Sequence, residues 1–114
     1  MPDHLNQRIA QLRDLVRQGL HEENLDRAVR ECGSLAQDSR HVLLFFTLKN
    51  VFKELSQALE AGAIEVTRHR ELLQGISEKA LSLLEKVASD APIALHEIEE
   101  LVRTHVVNRD LFNS

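Results

Sequence analysis

Apolar residues recur along the chain at intervals of three and four, the spacing that gathers side chains on one side of a helix with 3.6 residues per turn. Leu5, Ile9, Leu12 and Val16 form the first such stripe, with Asp3 as the expected N-cap and an end near Gln18. Gly19 followed by Leu20 fits a Schellman ending, in which the glycine turns left-handed and the apolar residue folds back towards Leu15. A second helix is expected from 21–23, where Glu22 and Glu23 suit the positive end of the helix dipole. Its stripe is Leu25, Ala28, Val29, Cys32, Leu35 and Ala36, and it runs to about Gln37 while tolerating Gly33 at a cost of about 1 kcal/mol.

The stretch 41–62 is apolar on nearly all sides. Val42, Leu43, Leu44, Phe45 and Phe46 run into Leu48, Val51, Phe52, Leu55 and Leu59, with Asp38 or Ser39 as the expected cap and Gly62 as the stop. An all-round apolar helix belongs in an interior, and each large side chain gains about 1.5–3 kcal/mol there. Two placements satisfy this. Either the first, second and fifth helices enclose the stretch, or Leu44, Phe45, Phe46 and Phe52 form a subunit interface.

A link at 63–66 leads to Thr67, the expected N-cap of a fourth helix reaching about Ala88, with the stripe Leu73, Ile76, Ala80, Leu83, Leu84 and Val87. So short a link predicts that the third and fourth helices pack antiparallel. Ser89 or Asp90 is then the expected cap of a fifth helix with Pro92 in its first turn, whose Leu95, Ile98, Leu101, Val102 and His105 face the core. In the tail 108–114, Leu111 and Phe112 are expected to pack back on the bundle. The expected fold class is all-α: one domain, 1–114, forming a compact bundle of about five helices built on a central antiparallel hairpin of 40–61 and 67–88.

Charge narrows the functional classes. A formal net charge of −4, spread in mixed signs, is not that of a general nucleic-acid binder, and Trp and Tyr, the usual stacking platforms, are absent. The longest apolar run is far shorter than the roughly 18 residues of a membrane span, and Met1-Pro2-Asp3-His4 does not open a signal peptide. The single cysteine, Cys32, cannot form an internal disulfide and reads as a small buried hydrophobe. These features predict a cytoplasmic protein.

Candidate chemistry is sparse. No Gly-x-Ser-x-Gly, P-loop or Gly-x-Gly-x-x-Gly motif is present, so no enzyme activity and no cofactor are expected. His96-Glu97-Ile98-Glu99-Glu100 begins like the metalloprotease helix but lacks the second histidine, and no histidine follows a glutamate by three, as di-metal bundles require. No metal is therefore expected; the alternative is a ligand or metal site drawn from His69, His96, Glu100 and His105. Phe46-Thr47-Leu48-Lys49-Asn50 lacks both the histidine and the glycine of the histidine-phosphotransfer box. Thr67-Arg68-His69-Arg70 places three cationic groups at a helix N-terminus, where free amides favour an anion. The reading that follows is a non-catalytic interaction or regulatory protein with an unidentified protein partner, forming a homodimer through apolar helix faces.

Overall fold

The computed structural model describes the backbone of residues 3–107 and the side chains of 4–103. It contains five helices, α1 (Asp3–Arg17), α2 (Glu22–Asp38), α3 (Val42–Glu60), α4 (Arg70–Ala88) and α5 (Leu95–Val107), and no strand among the described residues. The chain is an all-α bundle measuring 43 × 28 × 20 Å. The expected stripes of α1 to α4 all turn inward: Leu5, Ile9, Leu12 and Val16 meet Leu25, Cys32 and Leu35, with Leu48, Phe52, Ile76 and Leu84 completing the core.

Two helix ends follow their glycines. Gly19 is left-handed (φ 115°) and Leu20 is buried behind it, while the buried Asn24 side chain donates to the carbonyls of Gly19 (3.1 Å) and Leu15 (3.4 Å). Those carbonyls would otherwise be orphaned at the end of α1. At the end of α3, Gly62 (φ 76°) donates to Leu59 and Ala63 donates to Ala58, the paired bonds of a Schellman motif. The same pair closes α4, from Asp90 to Val87 and from Ala91 to Lys86, but here the left-handed residue is Asp90 (φ 57°) and not a glycine. That ending starts the fifth helix later than the sequence suggests. Residues 91–94 belong to no helix, and α5 opens at Leu95, where the Glu97 carboxylate accepts the Ala94 amide in half of a capping box. Likewise His41 and His69, not Asp38, Ser39 or Thr67, hold the N-cap positions of α3 and α4.

The closest helix pair is α2 with α3. Ser56 donates to Asp26 (3.0 Å), and Gly33 faces the aliphatic stem of Lys49, so positions rise on one helix as they fall on the other and the pair is an antiparallel hairpin. Arg8 ties α1 to α2 through Asp38 (2.9 Å) and Ser34. Ser77 donates to the Val16 carbonyl (3.3 Å) and Arg17 meets Glu85 (3.4 Å), joining α1 to α4. Lys86 with Glu97, and Lys79 with Glu100 at 3.7 Å, join α4 to α5, which packs in turn on α3. The helices therefore form a ring, α1, α2, α3, α5, α4. The expected α3–α4 hairpin is the point of difference. The two helices are consecutive, but their backbones hardly approach each other, and α5 fills the gap between them. The 61–69 connection is long enough to let them part, with Ile64 buried as its anchor.

Gly33 lies inside α2, as the stripe on both sides of it requires. A Cβ there meets the Lys49 side chain at 3.7–3.8 Å, ordinary contact with a flexible stem. Gly33→Ala is thus expected to stabilise the protein by about 0.5–1 kcal/mol by restricting the unfolded chain, read as a higher melting temperature; a lower one would mean that Lys49 cannot shift.

Candidate functional site

Among the described residues, five of the six exposed large apolar side chains lie on two helices that pack on each other: Val42, Leu43 and Phe46 on α3, and Leu95 and Val102 on α5. Val66, in the 61–69 connection, is the sixth. The α3 residues are more than half exposed, at 54%, 52% and 52%. Helix geometry explains how α3 is both core and surface. At about 100° per residue, Val42, Phe46, Asn50, Lys53 and Gln57 share one side, while Leu44, Phe45, Leu48 and Phe52 share the opposite one.

The α5 residues reach the surface by a parallel argument. Glu97 and Glu100 point towards the α4 lysines, Ile98 and Leu101 point into the core, and Leu95 and Val102 lie on the remaining, exposed flank of a helix that packs on α3. Both residues were expected in the core. The splayed α3–α4 arrangement leaves α5 only a narrow buried edge, and they fall outside it at 59% and 39% exposure.

Of the four expected interface residues, Leu44, Phe45 and Phe52 are enclosed by the chain's own helices and Phe46 alone is exposed. The signal that separates the neighbouring phenylalanines is present in the sequence: the residues four and seven after Phe46 are Asn50 and Lys53, whereas those three and seven after Phe45 are Leu48 and Phe52.

Asn50, Lys53 and Gln57 continue the exposed stripe of α3 beyond Phe46, whereas Lys49 is half-buried with its stem against Gly33 of α2. At the other end, Arg40 is bonded to Asp90, whose side chain is 77% exposed, and Asp38 is bonded to Arg8. Between them sits His41, with its Nε2 buried and without a hydrogen-bond partner among the described residues. Burial, reinforced by Arg40 and partly opposed by Asp90, holds the imidazole below its ordinary value of 6.5. The unfolded chain therefore takes up this proton at a higher pH than the folded one. Stability contributed by neutral His41 is present above pH 6.5 and is expected to fall as the pH drops below it. His41→Gln should flatten that part of the melting temperature against pH; an unchanged profile would assign the dependence to other groups.

The other expected sites do not assemble. Thr67 and Arg68 are exposed in the turn before α4. His69 Nδ1 accepts the Glu65 amide at 3.0 Å, so the ring is committed to closing that turn. Arg70, the first residue of α4, lines a shallow groove of about 240 Å³ that it shares with Val16, Arg17 and Gly19. His69 precedes α4 while His96 stands beside its far end, on the order of 25 Å away along a helix of 19 residues. Glu100 pairs with Lys79, and the His105 side chain and the 108–114 tail lie outside the described residues. No group of three or more potential metal ligands occurs among the described residues. Cys32 is fully buried, and burial raises its thiol far above the ordinary value, so it offers no thiolate. No described helix is long and apolar enough to cross a membrane. Comparison with protein-family models, curated proteins and solved structures finds no match to this chain.

Proposed function

We propose that this chain is a non-catalytic, cytoplasmic interaction protein that associates with itself through the α3–α5 face. The observation that carries the reading is that Val42, Leu43, Phe46, Leu95 and Val102 all lie on α3 and α5, two helices in contact with each other, while α1, α2 and α4 expose no large apolar side chain among the described residues. Scattered exposed apolar residues need no explanation, but a contiguous set does. Aromatic and aliphatic side chains ringed by charges are the composition of a protein interface.

Molar mass by light scattering over a wide range of concentrations tests this. A reversible rise from 13.0 kDa to twice that mass is expected. A monomer at every concentration overturns it. Leu111→Ser with Phe112→Ser, made in the full chain, separates the remaining case: if the parent is monomeric and this variant dimerises, the face is covered by the chain's own tail.

A further inference from the structure

The α3 helix starts without the devices that usually secure a helix N-terminus. Its N-cap is His41, whose side chain makes no capping bond, and no acid stands in the first turn. The Ser39 hydroxyl, the other side chain of the 39–41 connection suited to capping, instead accepts the His41 amide at 3.0 Å. The flanking carboxylates are engaged as well: Asp38, at the end of α2, with Arg8 of α1, and Asp90, just past α4, with Arg40. Where α4 ends and α5 begins, Lys86 and Glu97 are bonded to each other. Into this uncompensated start is set an imidazole whose Nε2 is buried without a partner among the described residues. A neutral ring can leave that nitrogen as a lone pair and carry its proton on Nδ1. An imidazolium must place an unsatisfied N–H there, and it adds a positive charge to the positive end of the α3 dipole, next to Arg40.

We infer that His41 is a proton-operated latch on the first turn of α3, which holds Val42 and Leu43 in the helix when neutral and releases them when charged. Leu44 and Phe45 are enclosed in the core, so the release stops at the two exposed residues before them. Burial and Arg40 hold the ring below its ordinary value of 6.5, with Asp90 in partial opposition, so the intact turn belongs to pH values above 6.5 and is lost as the pH falls below it. One consequence rests on the self-association proposed above: removing Val42 and Leu43 from the exposed side of α3 weakens the dimer in acid.

Amide hydrogen exchange tests the latch. Phe45 donates to the His41 carbonyl, and Phe46, one residue on, donates to that of Val42 by helix geometry. Between about pH 7.5 and about pH 5, the protection factors of these two amides are expected to fall roughly tenfold more than those of Val51 and Leu55, which report opening of α3 as a whole. His41→Gln keeps a hydrogen-bonding side chain without the charge and should abolish the excess loss, with circular dichroism showing that the variant is folded. Equal losses along α3, or an excess loss that persists in His41→Gln, overturn the latch. The dimer dissociation constant should rise at least threefold over the same range in the parent and stay level in His41→Gln. A parent dimer indifferent to pH separates the latch from the interface, and a parent that is monomeric throughout overturns self-association while the exchange result still decides the latch.

Discussion

Phe45→Ala is expected to cost about 3–5 kcal/mol, the range for truncating a fully enclosed phenylalanine. Its ring is inaccessible and lies on the α3 side that meets Leu48 and Phe52 within the core. The surrounding helices cannot close the resulting void, because Phe45 sits in the α2–α3 pair, the most closely packed in the molecule. A domain of this size has about 5–15 kcal/mol in total. The melting temperature should therefore fall on the order of 15 °C, measured by calorimetry or circular dichroism. A fall of only a degree or two would mean that the site collapses around the smaller side chain and that α3 is less tightly held than its burial indicates.

The adjacent substitution has the opposite character. Phe46→Asp places a carboxylate on a position that is 52% exposed, so no buried charge is created and the fold is expected to persist with a melting temperature within a few degrees of the parent. Its effect is on assembly. A carboxylate at the centre of an apolar contact loses the aromatic anchor and must be desolvated without a partner, a combination that raises dissociation constants by a hundredfold or more, or about 3 kcal/mol. Light scattering should show a folded monomer at concentrations where the parent is a dimer. An unchanged dimer would remove Phe46 from the interface, and global unfolding would return it to the core. The pair of neighbours, one lost from the fold and the other from the assembly, separates the two roles of α3.

Helix content and the inward faces of the first four helices are written plainly in the spacing of Leu5, Ile9, Leu12 and Val16 and of Leu73, Ile76, Ala80 and Leu84, because burial selects one face and polar residues fill the other. The glycine endings at Gly19 and Gly62 were legible for the same local reason. Asp90 was not: an aspartate in the left-handed position looks in sequence like an N-cap, and so the start of α5 was placed too early. Which helices become neighbours is a non-local matter. A connection of nine residues permits either contact or separation of α3 and α4, and only the placing of α5 decides between them. The candidate face was half legible. Phe46 is one of four residues expected there, and the other three, Leu44, Phe45 and Phe52, are buried; Leu95 and Val102 read as core because their spacing matches that of Ile98 and Leu101.

The ring of helices is made of two local pieces, the consecutive run α1–α2–α3 and the pair α4–α5, hinged at 61–69 and shut along two seams, α1 against α4 and α3 against α5. Contacts inside each piece join residues close in sequence, while the seams close long loops and carry the larger entropic penalty. The helices that meet at the second seam are the two that carry the exposed Val42, Leu43 and Phe46, on α3, and Leu95 and Val102, on α5. A second copy bound across α3 and α5, as proposed, would act as a clasp, holding the two pieces shut and making the stability of each chain rise with protein concentration.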